Sequence, residues 1–375
     1  MKRTIGFIVN PYAGIGGPLG MKGSDGKAIR ELSLCGVDRI CVKKARQFLR
    51  DLSQAFLPEE RNFSFVTCSG EMGALLLDEF AFTDYTVCYR TETKESTSED
   101  TRRSAQIMAD QDVSCLVFAG GDGTARDIYS AAGERVPVIA IPGGVKMHSA
   151  VFAQTPMAAA GMLEQFIRSD IRAFDLADVM DIDEEAFRSG RVSARLFGHL
   201  KTPVTGIRRQ GPKVAGWSDG QSDIREASME IIDSMKEDRL YLIGPGSSTS
   251  KIMDYLGGEN SLLGVDVVCN KKIIAKDANT EQLLNLTQNR SFYIVVTPIG
   301  GQGCLLGRGN TQLTPNLIRR CSKDSIIVIA STEKLASIER GAFYNDTGDE
   351  KLDRLLAGYY RVITGKDRYV MYRCL

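Results

Sequence analysis

The chain is poor in the residues that build many familiar sites. Only two of its 375 residues are histidine, His148 and His199, which argues against a zinc centre of histidine and cysteine. Nine cysteines occur, scattered, with no close pair and no Cys-x-x-Cys. The odd count and the wide spacing fit reduced thiols rather than a disulfide framework. No apolar run approaches the roughly 20 residues that span a bilayer. The run after Met1-Lys2-Arg3 stops too soon for a secretory leader and reads as a first strand, so a cytoplasmic location with no membrane partner is expected. Net charge is also missing. The 47 Lys+Arg balance the 47 Asp+Glu, which speaks against nucleic acid as a partner. Two phosphate-binding signatures are absent as well: Gly-x-x-x-x-Gly-Lys-Ser/Thr, and Gly-x-Gly-x-x-Gly, which glycines 14, 16 and 17 approach but Leu19 breaks.

What is present is an ordinary globular composition, 43% hydrophobic and 25% charged, long enough for two domains. Residues 1–155 alternate between strand and helix patterns. Ile5–Val9, Phe63–Thr67, Tyr85–Tyr89, Cys115–Ala119 and Val136–Ile141 read as strands. The stretches 42–56, 72–80, 97–108 and 125–132 have helical spacing of apolar residues, with Thr97 or Ser98 as an N-cap. Such alternation implies an α/β fold, a Rossmann-like parallel sheet with helices on both faces and ligands beyond the carboxyl ends of the strands. A helix at 157–169 leads into a second, mixed α/β region, 156–375. That region has a β-rich segment over 172–217, followed by strand-helix alternation from Arg239.

One loop stands out. The apolar run Cys115–Ala119 ends in Gly120-Gly121-Asp122-Gly123-Thr124, and a helix pattern follows. Glycines there let backbone N–H groups approach a phosphate, and a helix start favours an anion. Asp122 is the odd member, because a carboxylate repels a phosphate. It makes sense as a Mg2+ ligand or as the base for an attacking hydroxyl. Thr124 can both cap its helix and donate to a phosphate. Asn10-Pro11 and Gly14 follow the first strand on the same expected rim, as do Lys146 and His148 after the fifth. Lys146 offers a point charge for a phosphate; His148 offers a proton shuttle; of the two, Lys146 ranks first. In the second region, Gly246 and Ser247, with Ser248 and Thr249, open a helix and suggest a second anion site. An ordinary Ser/Thr cap explains them equally well. Arg308 reads either as a phosphate clamp or as a plain surface arginine. Asp127, one turn further on, reads either as an aid to a metal through water or, ahead of that, as a first-turn acid favouring the dipole.

The Gly120–Thr124 loop with its flanks resembles the superfamily of NAD kinases, diacylglycerol-type lipid kinases and phosphofructokinases. The stretches 118–127 and 141–152 resemble most closely the ATP-NAD kinase family, and within it the AcoX-like branch. Gly300-Gly301-Gln302-Gly303, Gly307-Arg308-Gly309-Asn310 and Asp346-Thr347-Gly348-Asp349 look like that branch too. The resemblance implies a kinase using Mg2+ and ATP, or inorganic polyphosphate, with Gly120, Gly121, Gly123, Thr124, Asn10, Pro11 and Gly14 around the donor. Asp122 would serve the acceptor hydroxyl or the metal. The acceptor implied is the 2′-hydroxyl of NAD, giving NADP. One departure bears on that acceptor. NAD kinases carry an Asn-Glu pair after the fifth strand, where this chain reads Pro142-Gly143-Gly144-Val145-Lys146-Met147-His148-Ser149. The same chemistry on another acceptor, an acetoin-pathway metabolite or a lipid, is the first alternative. A nucleotide-binding regulator without turnover is the second. Oligomeric state, a homo-oligomer included, is left open by the sequence.

Overall fold

The computed structural model describes residues 2–15, 39–91, 95–144, 147–169, 171, 173–182, 194–205, 221–258, 264–338 and 341–375. They fall into two compact units, one holding the described residues up to 205 and the other those from 221.

The first unit is built on five strands: β1 (Arg3–Val9), β2 (Phe63–Cys68), β3 (Tyr85–Tyr89), β4 (Cys115–Gly120) and β5 (Val138–Pro142). They lie in the order β3-β2-β1-β4-β5, and all neighbours are parallel. The near-continuous apolar runs of β1 and β4 are what a sheet buried on both faces requires. Alternate residues serve opposite faces. Ile5, Phe7, Val9, Cys115, Val117 and Ala119 enter one core, while Ile8, Leu116 and Phe118 enter the other.

Among the described residues five helices cover these faces: α1 (Ile40–Ala55), α2 (Ala74–Glu79), α3 (Ser98–Asp110), α4 (Asp122–Ala132) and α5 (Pro156–Arg168). Phe48, Leu49 and Leu52 of α1 join the first core, each contributing about 1.5–3 kcal/mol by leaving water. α3 begins where the sequence placed it. Thr97 is its N-cap, accepting from the Asp100 N–H while Asp100 reaches back to the Thr97 N–H, a capping box. The helix expected at 72–80 starts later, because Gly73 separates a short 3-10 turn, Gly70–Met72, from α2.

The strand pair β6 (Phe174–Ile182) and β7 (Ala194–Pro203) forms an antiparallel ribbon. The sequence reading put this segment in the second region. The structure groups it with the first unit, because Ala177, Val179 and Leu200 complete the apolar core beneath α3 and α4.

In the second unit, β8 (Leu240–Ile243), β9 (Val265–Cys269), β10 (Lys272–Ala278), β11 (Phe292–Val296), β12 (Ile326–Ile329), β13 (Gly358–Gly365) and β14 (Arg368–Cys374) make one mixed sheet. Their order is β10-β9-β8-β11-β12-β13-β14. The central β8, β11, β12 and β13 are parallel, and β9, β10 and β14 run against their neighbours. Helices α6 (Gln221–Asp233) and α7 (Ser250–Tyr255) contribute Ile224, Ile231 and Ile252 to the core on one face. Among the helices on the other face are α8 (Thr280–Leu286), α9 (Pro315–Ile318), α10 (Thr332–Ala336) and α11 (Glu350–Leu356). The fold class read from the sequence is the one observed: a parallel α/β unit and a mixed α/β unit. Among the described residues no helix is long and apolar enough to cross a membrane.

Candidate active site

Strand order alone marks one place in the first unit. From β1 the chain winds outward through β2 and β3, then returns to β4 and β5 on the other side. The loops after β1 and β4 therefore leave in opposite directions, and it is at the carboxyl ends of such a pair of strands that these sheets take ligands. Asn10 follows β1 and Gly120–Thr124 follows β4.

Three loops are tied together there. The Asn10 side-chain amide donates to Thr124 Oγ1 at 3.0 Å, and its carbonyl oxygen accepts the Tyr12 N–H. The Asn10 N–H bonds to the Ala119 carbonyl at 2.9 Å and the Gly143 N–H to the Gly120 carbonyl at 2.8 Å. Pro11 is buried. Gly14 has φ +77°, and a Cβ on it would lie 2.5 Å from the Gly143 carbonyl oxygen. Both the left-handed backbone and the close approach therefore require glycine. Gly14→Ala is expected to cost about 1–3 kcal/mol and to lower the thermal midpoint by several degrees, read by calorimetry. An unchanged midpoint contradicts this packing of the two loops.

Asp122 opens α4 and is 6% exposed. Both its oxygens are occupied. Oδ2 accepts the His148 backbone N–H at 2.6 Å and lies 3.2 Å from His148 Nδ1. Oδ1 accepts the Ser149 N–H at 3.1 Å and the Ser149 hydroxyl at 2.6 Å. A carboxylate offers about four lone-pair positions, and three donors and the His148 ring nitrogen surround this one. Ser149 is held in turn by β6. Its Oγ lies 2.8 Å from the Met180 carbonyl and accepts the Met180 N–H at 2.9 Å. The His148 side chain is 7% exposed. Its Nδ1 faces Asp122, and among the described residues its Nε2 makes no hydrogen bond.

Other nearby groups have simpler roles. Asp127 lies beyond the first turn of α4, where Asp122 is the acid, and pairs instead with Arg102 of α3 at 2.8 Å. Arg126 pairs with Asp181 of β6 at 2.8 Å. Cys41 lies directly beneath Gly143. Burial pushes its thiol up to about 12, offset in part by the Asn10 backbone, so it stays protonated and is no nucleophile. A Cβ on Gly123 would lie 3.9 Å from Asp181 Oδ2, an ordinary contact.

The structure thus brings together Asn10, Pro11, Gly14, Gly120, Gly121, Asp122, Thr124 and His148. Lys146 lies outside the described residues. Gly246 and Ser247 belong to the second unit. Sequence reasoning missed Ser149 as a ligand of the carboxylate. A serine beside a singled-out histidine was the available signal, but its anchor on Met180 comes from 31 residues away. Arg308 is neither a clamp nor a surface residue. It is 4% exposed and its Nε donates to Asp346 at 2.9 Å.

A Mg2+ held by Asp122 does not fit this arrangement, because its oxygens already accept three protein donors and Oδ2 also lies against His148 Nδ1. Among the described residues no group of three or more His, Cys, Asp or Glu side chains is placed to hold a metal.

Residues 5–171 match the ATP-NAD kinase N-terminal domain, and residues 236–374 match the ATP-NAD kinase C-terminal domain. Among solved structures, a diacylglycerol kinase from Bacillus anthracis str. Sterne is 17% identical over 48% of this chain and 43% of its own, with a TM-score of 0.23. The S. aureus MnaA-UDP co-structure is 11% identical over 95% of this chain and 91% of its own, with a TM-score of 0.26. This chain spans less than half the length of the diacylglycerol kinase structures it matches. At such scores the likeness carries no argument. No curated protein matches.

Proposed function

Because the chain belongs to the ATP-NAD kinase family, we propose that it transfers the γ-phosphoryl group of Mg-ATP to a hydroxyl of a small acceptor at the carboxyl ends of β1 and β4. The observation that carries this reading is the Asp122–His148 pair at the start of α4. With the proton on Nδ1, His148 donates to Asp122 Oδ2, and the Nε2 lone pair is left for an acceptor hydroxyl. Asp122 then acts through His148: it fixes the ring's tautomer and orientation and stabilises the imidazolium once the proton has moved. The sequence suggested the carboxylate itself as base. The four donors around it favour the imidazole.

In this reading the hydroxyl proton passes to His148 Nε2 as the oxygen attacks, the γ-phosphorus–oxygen bond breaks, and ADP leaves. Little covalent chemistry falls to the protein, so positioning and charge do most of the remaining work. Asn10, Thr124 and the backbone N–H groups near Gly123 would hold the donor phosphates. The Mg2+ enters as part of the Mg-ATP substrate and screens those phosphates; inorganic polyphosphate is the alternative donor.

NAD is the acceptor that the family suggests, with NADP as product. The missing Asn-Glu pair at 142–149 favours a second reading, the same transfer to a different hydroxylated metabolite. One experiment separates them. Purified protein with Mg-ATP and NAD should produce NADP, scored with an NADP-specific dehydrogenase. ADP release with a metabolite panel but not with NAD selects the second reading. Tight ATP binding with no release under any condition removes both and leaves a regulator.

A further inference from the structure

Two thiols fall side by side at one end of the sheet in the first unit. The parallel pairing of β2 with β3 runs regularly from Phe65 opposite Tyr85 to Thr67 opposite Val87, then skips one residue, so that Cys68 faces Tyr89. Cys88 is the residue skipped, and a bulge of this kind takes it out of the ladder. Both side chains lie on the same face of the sheet. Cys68 is buried in the core with Val66 and Met108, and Cys88 is half-buried against that core. Neighbouring strands lie about 4.8 Å apart and one step along a strand adds about 3.3 Å. The two Cα atoms therefore fall about 6 Å apart, inside the roughly 4.4–6.8 Å that a disulfide bridges. Both residues are free thiols.

Their surroundings differ in the way a reactive pair requires. Ser104 Oγ lies 3.1 Å from Cys68 Sγ and gives its own proton to the Asp100 carbonyl at 2.7 Å, which leaves Cys68 as the donor to its neighbours. A hydrogen bond from Cys68 favours the thiolate of Cys88 and holds that thiol below its ordinary range. The same bond, with burial, pushes Cys68 well up. Cys88 is thus the nucleophile, half-exposed and more readily ionised, and Cys68 is the buried partner that resolves it. Thiols elsewhere contrast with this pair: burial pushes Cys41 and Cys374 up to about 12.

We propose that Cys88 and Cys68 are a modification site for peroxides, an oxidisable dithiol that closes to a disulfide between β3 and β2. The Cys88 thiolate attacks one peroxide oxygen, the S–O bond forms, the O–O bond breaks, and the hydroxide released takes up a proton to leave as water. Cys88 is then a sulfenic acid. The Cys68 sulfur attacks the Cys88 sulfur, the S–S bond forms, the S–O bond breaks, and the departing hydroxide takes the Cys68 proton as a second water. Two thiols lose two electrons in all, and the peroxide gains them. The bond staples β3, an edge strand bonded on one side only, and closes a loop that contains α2, which constrains the unfolded chain. The site stands on the register of β2 and β3 and does not rest on the kinase reading.

The test uses the full chain, reduced and then exposed to hydrogen peroxide, with remaining thiols blocked before digestion without reductant. Mass spectrometry is expected to find the Cys68 and Cys88 peptides joined, lighter by two hydrogens, and dithiothreitol should separate them. The thermal midpoint of the oxidised chain should rise by several degrees and return on reduction. In Cys88→Ser neither the linkage nor the rise should appear. In Cys68→Ser the sulfenic acid of Cys88 has no resolving partner and should take up dimedone, a label the unaltered chain sheds by closing the disulfide. If Cys68→Ser folds poorly, the linkage map of the unaltered chain and its loss in Cys88→Ser carry the test. Cys68 and Cys88 peptides recovered unlinked after peroxide, or Cys88 joined to another cysteine or to a second copy of the chain, overturn the proposal.

Discussion

Replacing His148 with alanine lowers kcat by about a hundred- to ten-thousandfold, the usual contribution of a positioned acid-base group, and free imidazole restores part of the loss. Rescue is expected because the cavity left by the ring keeps its partner. Asp122 remains fixed by the Ser149 N–H and hydroxyl and can orient an imidazole from solution. Asp122→Asn behaves differently. The amide presents N–H2 to a site ringed by donors, so at least one donor loses its acceptor, at about 1–3 kcal/mol. Turnover falls by a similar factor, and imidazole does not restore it. If Asp122 were itself the base, His148→Ala would keep most of its activity. The two variants, assayed with and without imidazole, thus assign the proton.

Asp346→Ala destabilises the second unit by about 3–5 kcal/mol, the cost of stranding one partner of a buried ion pair. Arg308 and Asp346 have side chains only 3% and 5% exposed and meet at 2.9 Å. Burial works against the guanidinium's charge, but Tyr344 and Asp346 beside it hold its pKa above the ordinary range. The same segment is laced by Asn310, whose side chain accepts the Gly307 N–H and donates to the Leu305 carbonyl. Loss of the carboxylate leaves a positive charge among packed side chains, and the denaturant midpoint of the chain should drop accordingly. The double variant Arg308→Met with Asp346→Leu should recover most of that loss, since well-packed apolar replacements of buried pairs are often neutral. A single-variant cost below about 1 kcal/mol contradicts the burial of the pair, because that is the range of an exposed pair.

The parts of this molecule that sequence made legible are those governed by local rules. The β4 run and the glycines after it follow from strand burial and turn chemistry, and Thr97 follows from capping. The central strands β8, β11 and β12 show as short apolar runs before polar loops. What stayed hidden depends on distant partners. β10 leaves one face, Lys272, Ile274 and Lys276, exposed, and Ile273 and Ala275 on the other are only half-buried. β14 is an edge strand with Tyr369 and Met371 exposed, so neither carries a clear strand signature. The ribbon of β6 and β7 reads correctly as two strands, but its docking depends on Ala177, Val179 and Leu200 meeting a core laid down by earlier segments.

The same limit applies to the site. The loop pattern singles out Asp122, yet its chemistry depends on four contacts that come from residues 148 and 149. No local pattern around Asp122 announces that its lone pairs are taken. Arg308 shows the reverse case. Its glycine-rich surroundings suggest an exposed turn, and only tertiary packing shows an ion pair sealed inside.

The most direct measurement is a phosphorus-31 NMR time course of the protein with Mg-ATP and NAD, run beside Asp122→Ala under the same conditions. The account predicts a new phosphate monoester resonance that grows in step with ADP for the unaltered protein and is missing for the variant. An ester that grows at the same rate in both samples, or ATP left unconsumed with NAD and every other hydroxylated acceptor supplied, contradicts it.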